Sequence, residues 1–406
     1  MNGHLPVSHR HVSSLDGIRA VACWAVIAFH LDLLQGGFVG IDIFFVLSGS
    51  LITSILDAEW ARTGRIDFGV FPRKRLLRLL PSLTLCVIGY GAYCAITGKS
   101  EDILVPVASA LLYATNYLRA YKIIDDNSLG HTWSLAVEMQ FYAVWPFVFA
   151  WFCRHLTTQG VMTALANLAA IVTFWRLTIS VAYGDASMDF TYRVLETRAD
   201  GLLIGGILAL MVRQGWRFNP TVLLLISSAF IVVVCWRVPT SKLVFHEFGL
   251  TIVAMASAYI IGFLVDVDPS PIRAFFSNPV LAYLGKISYG AYLYHYPIIK
   301  GLEQQASAHV ALFGITSTLA IASASYVLVE SPVLRFQQKH RGREAAAGRV
   351  ALWNLALPQR LRQDDAGLVR DDHRHRPPIG PGRVPPVEDS APMSRRHERP
   401  AGPPCC

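Results

Sequence analysis

Two ionisable residues lie in the first apolar segment of the chain, Arg19 and His30. They are eleven positions apart, about three whole helical turns, so on a helix they share one face, roughly 16 Å apart along the axis. A guanidinium can hold a phosphate, and an imidazole can take a proton from a hydroxyl nucleophile. The spacing alone equally allows an interfacial Arg19 and a structural, hydrogen-bonded His30.

The second apolar segment carries a lone carboxylate, Asp42, among residues such as Phe44 and Phe45. A carboxylate inside a membrane span needs a partner. The candidates are His30, whose imidazole it would orient as a base, or an arginine. The glycines around it favour close helix packing, which is the role we expect for Gly36, Gly37, Gly40 and Gly49.

Arg75 and Arg78 stand three residues apart, on one helical face, shortly before Pro81. Two neighbouring guanidiniums make a good phosphate clamp. Ordinary anchoring of a span by basic residues on its cytoplasmic side explains Arg73 and Lys74 equally well, so the pattern leaves both interpretations open.

A further polar group opens the segment at 131–142, where Glu138 and His131 could bind a polar acceptor. Trp133 and Tyr142 could stack on a sugar, although aromatic anchors at the membrane interface are more common. Later segments add Glu196, Arg198, Asp200, Lys286, Tyr292, His295 and Glu330. A proton relay would look much the same, so these residues alone do not identify an enzyme.

The elements that must position these residues are membrane helices. The 406 residues are 53% hydrophobic and only 16% charged, against about 25% charged in soluble domains. Eleven apolar segments are present: 15–34, 38–56, 79–97, 103–118, 133–152, 161–182, 194–212, 219–236, 248–265, 281–299 and 311–330. The fold class is therefore an all-α, polytopic membrane helix bundle.

Loop charge predicts the topology. The loop 57–78 is the most basic, which places it in the cytoplasm. The remaining basic loops fall on the same side only if 103–118 does not cross. We therefore expect about ten transmembrane helices plus one re-entrant or interfacial segment, with both termini cytoplasmic. The net charge of +8 then reflects these loops and does not indicate nucleic acid.

The composition changes near residue 340. Residues 341–406 are rich in Arg, Pro, Gly and Asp, which predicts a disordered, basic, Pro-rich cytoplasmic tail after a membrane domain at 1–340. The cysteines follow no metal-ligand spacing and imply no disulfide framework, so no metal is expected.

Taken together, the motifs resemble the acyltransferase 3 family of integral membrane sugar O-acyltransferases, over about residues 13–336. The matching stretches are LDGIRA with the following Phe29-His30, the segment 37–49 around Asp42, Arg75 and Arg78 with Pro81, and the ranges 131–142, 198–201, 287–297 and 330–332. A single one of these stretches would be weak evidence for the resemblance. Seven in the right order are a specific match.

The resemblance implies an enzyme of the cell inner (plasma) membrane. It would move an acyl group, by default acetyl, from acetyl-CoA or another acyl-CoA to a hydroxyl of a glycan or glycoconjugate. By analogy His30 would be the catalytic base or acyl relay. Arg19, Arg75 and Arg78 would engage the CoA at the cytoplasmic side, and Asp42 and Glu138 would support the site or the acceptor.

Two alternatives belong to other classes. A transporter or flippase of a glycolipid or small solute would also combine many spans, a re-entrant segment and buried charges. That class, however, expects paired broken helices in two related halves, which the sequence does not show. A non-catalytic scaffold of a glycan-synthesis complex predicts that His30 is dispensable.

Overall fold

A computed structural model describes residues 13–98, 103–239, 245–265, 270–302 and 308–336. Within these ranges the regular elements are all helical and no strand is present, which confirms the all-α class for the described residues. The tail predicted at 341–406 lies outside them.

The described residues form fifteen α-helices. These are α1 (Ser13–His30), α2 (Gly40–Thr63), α3 (Val70–Thr97), α4 (Leu104–Leu111), α5 (Thr115–Ala120), α6 (Trp133–His155), α7 (Thr158–Tyr183), α8 (Met188–Arg193), α9 (Leu195–Arg213), α10 (Thr221–Arg237), α11 (Leu250–Val265), α12 (Pro271–Phe276), α13 (Pro279–Lys286), α14 (Ser288–Leu302) and α15 (Ala308–Ser325). Short 3₁₀ turns precede α2, α6 and α8, and π-helical turns at Phe245–Gly249 and Tyr326–Glu330 adjoin α11 and α15.

Six helical stretches in the described part are long and apolar enough to cross a membrane. They are Gly37–Thr63, Arg75–Thr97, Gly130–His155, Thr158–Arg193, Glu247–Val265 and Ala311–Phe336. A shorter apolar helix covers Thr221–Arg237. The described residues thus contain several candidate spans, whereas the expected total of about ten stays a prediction.

The segment 103–118 does not form one continuous helix. It is divided into α4, of eight residues, and α5, of six. Tyr113, in the turn between them, has a positive φ of 53°. At 1.5 Å per residue neither helix can cross a hydrocarbon core of about 30 Å, as the prediction of a re-entrant or interfacial segment requires.

Glycines set the distance between the helices that carry the candidate residues. A Cβ at Gly49 of α2 would meet the main-chain oxygen of Leu202 on α9, and one at Gly205 of α9 would meet that of Val46 on α2. Only residues without a side chain allow this approach. The packing role predicted for four glycines holds, because a Cβ would also meet backbone at Gly36, Gly37 and Gly40.

The first helix packs equally closely against α12 and α13. A Cβ at Gly285 would meet the main-chain oxygen of Asp16, and one at Gly17 would meet that of Phe276. This contact brings the start of α1, with Arg19, next to the end of α13, with Lys286. It builds one wall of the cavity described next.

Candidate functional site

A cavity of about 380 Å³ opens between α1, α2, α3, α6, α13 and α14. Among the residues that line it, four are basic and two are acidic: Arg19, Arg75, Arg78 and Lys286, with Asp16 and Glu138. Four of the residues singled out in the sequence therefore meet in one place, although they come from three helices.

The charges of this arginine cavity do not balance. Arg19 Nη1 lies 3.3 Å from Asp16 Oδ1, one turn earlier on α1, and the Arg19 side chain is 26% exposed. The Arg75 guanidinium lies over the Tyr142 ring, 5.5 Å from its centroid. Basic side chains outnumber acidic ones by two to one, so the partly enclosed cavity attracts polyanions, above all phosphates.

Glu138 belongs to this cavity. The Ser48 hydroxyl on α2 donates to Glu138 Oε1 at 2.8 Å, and the Tyr142 hydroxyl one turn along α6 donates to Oε2 at 3.3 Å. These two bonds fix the carboxylate beside the arginines. They place it on the arginine side of the site and away from His30.

His30 ends α1 and is half-buried. Its Nδ1 lies 3.0 Å from the Val26 carbonyl oxygen and 3.1 Å from His295 Nε2 on α14. The Nδ1 of His295 lies 2.6 Å from the Tyr292 carbonyl oxygen. His295 is completely buried, so the protein, and not water, supplies the partner of His30.

A third histidine completes this histidine cluster of His30, His131 and His295. His131 is buried, its Nε2 lies 3.0 Å from the Leu293 carbonyl oxygen, and its ring centroid is 5.5 Å from that of His295. Its Nδ1 has no hydrogen-bond partner among the described residues. Inside the described ranges no group of three or more His, Cys, Asp or Glu residues could hold a metal ion.

Tyr292 connects the two parts of the site. Its side chain lines the arginine cavity, and its carbonyl accepts from His295. Its hydroxyl donates to the His131 carbonyl oxygen at 2.9 Å, so Ser134, 2.6 Å away, must donate to it. His30 is not among the described residues that line the cavity, and the Tyr292–Ser134 hydroxyl pair stands between the two regions.

Asp42 has the arginine partner, not the histidine one. Arg198 Nη2 donates to Asp42 Oδ1 at 2.9 Å, and both side chains are buried. The Arg198 guanidinium also lies 5.0 to 6.0 Å from the ring centroids of three aromatic residues, Tyr192, Phe45 and Trp133. Of the two partners considered for Asp42, the structure selects an arginine, so Asp42 does not orient His30.

A second buried ion pair stands close to the first. Arg176 of α7 is fully buried and donates to Asp200 Oδ2 at 3.0 Å, to the Thr251 hydroxyl at 2.6 Å and to the Thr197 carbonyl at 2.5 Å. The Thr251 hydroxyl in turn donates to Asp200 at 2.6 Å. The two pairs fasten α2 and α7 to α9, where Arg198 and Asp200 lie.

On the other side of His30, Tyr296 leads to an exposed carboxylate. The Tyr296 and His30 ring centroids are 4.7 Å apart, and the Tyr296 hydroxyl donates to Asp126 at 3.0 Å. Asp126 also pairs with Arg119 at 2.9 Å and Lys300 at 3.5 Å. Burial is the main cause that lowers the pKa of Arg119, and nearby Arg193 lowers it further.

Sequence reasoning missed Arg176, Tyr296 and Asp126 and named His295 without its role. Arg176 gave a signal, since it is a lone charge in an apolar helix. The partnership of His30 and His295 gave none, because 265 positions separate them. The five described cysteines are free, as expected from their spacing.

Comparison with known proteins gives a consistent result. Residues 12–329 match a family described as an acyltransferase domain. The chain is 30% identical, over 352 residues, to the O-acetyltransferase OatA of Staphylococcus aureus (strain NCTC 8325 / PS 47), covering 80% of this chain and 58% of that protein. It is also 30% identical, over 356 residues, to the peptidoglycan O-acetyltransferase OatA of Listeria monocytogenes serovar 1/2a, covering 80% and 56%.

The chain thus spans less than two thirds of the length of these relatives. No solved structure gives a significant match.

Proposed function

The chain belongs to the acyltransferase 3 family, and on that premise we propose that it is a membrane O-acyltransferase. It moves an acetyl group from acetyl-CoA to a hydroxyl of a glycan or glycoconjugate. The observation that carries the proposal is the arginine cavity, which shares Tyr292 with the histidine cluster. The similarity to an O-acetyltransferase and to a peptidoglycan O-acetyltransferase supports acetyl as the acyl group and a cell-wall glycan as the acceptor class.

The arginine cavity is the proposed donor site. Arg19, Arg75 and Arg78 bind the phosphates of CoA, because guanidiniums match phosphate oxygens in charge and geometry. Lys286, which is exposed and lines the same cavity, adds a cation nearer to solvent. Glu138, held by Ser48 and Tyr142, keeps the arginines apart and oriented.

His30 is the proposed catalytic residue. As a base it takes the proton of the acceptor hydroxyl while that oxygen attacks the thioester carbonyl. The CoA thiolate then leaves and is protonated by the imidazolium. As an acyl relay its Nε2 attacks the thioester, the CoA thiolate leaves, and the acetyl-imidazolium passes its acetyl group to the acceptor hydroxyl, whose proton balances the charge of the released thiolate. In both cases the acyl group must pass the Tyr292–Ser134 pair to reach His30.

Asp42 supports this site from a distance. By holding Arg198 it fastens α2 to α9, and α2 carries Ser48, the hydrogen-bond donor to Glu138. The proposal includes about ten spans with 103–118 re-entrant, both termini cytoplasmic and the inner membrane as location. Residues 1–340 then form the catalytic membrane domain, followed by the tail at 341–406.

The test uses the purified full chain in lipid vesicles, with acetyl-CoA and a peptidoglycan-derived acceptor, and follows release of the CoA thiol. Release that requires acceptor and is lost in His30→Ala supports the proposal. His155→Ala, which changes an exposed histidine at the end of α6, is the matched control and should keep full turnover. Full turnover in His30→Ala would remove His30 from the mechanism. No release by the folded wild-type protein with any acyl-CoA would favour the transporter class.

The same system separates base from relay. After brief mixing with radiolabelled acetyl-CoA in the absence of acceptor, protein denatured in the cold at neutral pH, where an acetyl-imidazole persists longer than in acid, would carry label on His30 if it relays the acyl group. If His30 acts only as a base, the protein stays unlabelled while turnover with acceptor continues.

A further inference from the structure

The hydrogen bonds around His30 define which ring nitrogen carries its proton. Nδ1 lies 3.0 Å from the Val26 carbonyl oxygen, which can only accept a hydrogen bond. The proton of neutral His30 is therefore on Nδ1, and Nε2 carries the lone pair. This is the nitrogen left to act as base or nucleophile.

The same argument fixes His295. Its Nδ1 lies 2.6 Å from the Tyr292 carbonyl oxygen, so Nδ1 is protonated and Nε2 is a bare acceptor. That acceptor lies 3.1 Å from His30 Nδ1, so it shares the single Nδ1–H of His30 with the Val26 carbonyl oxygen in a three-centre hydrogen bond. The two histidines form a directed chain in which His30 donates to His295 and His295 donates to the backbone of Tyr292.

We propose that His295 is the positioning residue of His30. Its Nε2 accepts a hydrogen bond from the Nδ1–H of His30 and thereby holds Nε2 of His30 ready for reaction. The inference rests on the proposed function of His30. It gives to a neutral, buried imidazole the task that a carboxylate has in a Ser-His-Asp triad. The sequence had offered Asp42 for this task, but Asp42 is bonded to Arg198.

The interaction becomes stronger as the reaction proceeds. When Nε2 takes a proton or an acyl group, the His30 ring becomes a cation, and its bond to His295 becomes charge-assisted. In the native protein water does not compete for this bond, because the His295 side chain has no exposure to solvent. Loss of one such bond should lower kcat by about 10- to 100-fold. The KM for acetyl-CoA should stay unchanged, since His295 does not line the arginine cavity.

Several other charged or titratable groups face this pair and must be kept constant. Asp126, Lys300 and Arg119 act on His30 electrostatically. The rings of His131 and Tyr296 pack against each other beside it. A pH profile of kcat therefore reports on all of these groups. The test needs variants of His295 that leave each of them in place.

Two substitutions distinguish the hydrogen bonds made by the two nitrogens of the His295 ring. His295→Asn keeps a donor at the position of Nδ1, near the Tyr292 carbonyl, but cannot reach His30. His295→Gln reaches the position of Nε2 and can accept from His30. We expect His295→Asn to lose about 10- to 100-fold in kcat and His295→Gln to keep most of it, with equal melting temperatures. A purely structural His295 would instead favour His295→Asn, which keeps the internal bond of α14.

An activity-independent measurement keeps this inference distinct from the proposed function. Diethyl pyrocarbonate acylates neutral imidazole nitrogen, and mass spectrometry of the full chain in vesicles gives the rate at His30. The rate should fall at least several-fold in His295→Asn and recover in His295→Gln. Equal His30 acylation rates and equal kcat values in all three proteins would overturn the inference. Rates that follow the predicted order in a protein without acyltransferase turnover would support the positioning role and reject the proposed function.

Discussion

Two groups of arginines among the described residues have opposite surroundings. Arg176 and Arg198 are fully buried, and each faces one carboxylate, Asp200 and Asp42 respectively. The arginines of the cavity share their space with Lys286 and only two acidic side chains. A charge within a membrane protein is therefore not a functional signal by itself. The excess of one sign around a cavity is the more specific signal.

The comparison is tested most severely at Asp42. The substitution Asp42→Ala leaves Arg198 buried without its carboxylate, and we expect the free energy of unfolding to fall by about 3–5 kcal/mol. The thermal melting of the detergent-solubilised protein measures this. The double variant Asp42→Ala/Arg198→Leu should recover most of the loss, because it replaces a broken pair by apolar side chains. Normal melting of Asp42→Ala with complete loss of turnover would instead give Asp42 a chemical role.

The cavity arginines should respond in the opposite way. We expect Arg75→Gln to raise the KM for acetyl-CoA by about 10- to 100-fold, the value of one charge-assisted hydrogen bond, with melting unchanged. Arg73→Gln is the matched control, because Arg73 is exposed on the same helix and does not line the cavity. If both substitutions raise KM equally, the cavity is not a specific phosphate site and the basic loop acts only through its net charge.

Lys286 tests the comparison where the expected effect on KM is smallest. It is exposed, so its attraction to a phosphate is screened by solvent and salt. We expect Lys286→Gln to raise KM only about two- to five-fold at low ionic strength. The difference from wild type should vanish near 1 M salt, where the Debye length is about 3 Å. An effect of Lys286→Gln that persists in high salt would place Lys286 in direct, desolvated contact with the donor.

Helical periodicity placed Arg75 and Arg78 on one face of a helix. Arg19 was recognised as a costly charge within a span, and Glu138 was expected at the other face as a possible ligand of a polar acceptor. All four line the same cavity. Periodicity succeeds here because it describes one helix at a time, and each of these residues faces the interior of the bundle from its own helix.

Partnerships between helices were beyond this reasoning. The pairing of Asp42 with Arg198 joins positions 156 apart, and nothing in either segment encodes which helix will be its neighbour. The glycine contacts of α2 with α9 determine this pairing, because they set the axial register of the two helices. Loop charge predicted only that 103–118 does not cross the membrane; the break between α4 and α5 at Tyr113 depends on a backbone conformation that the sequence does not reveal.

The Tyr292–Ser134 pair has a consequence for the energetics of the cell. An enzyme whose donor enters from one face of a membrane and whose acceptor waits on the other would, if open throughout, short-circuit the proton gradient. Where the arginine cavity meets the histidine cluster, the Ser134 and Tyr292 hydroxyls and the His131 main-chain carbonyl are bonded to one another at 2.6 and 2.9 Å. The proposed transfer of an acyl group to His30 would require this hydrogen-bonded junction to open. The Tyr292–Ser134 pair need separate by no more than the width of a thioester.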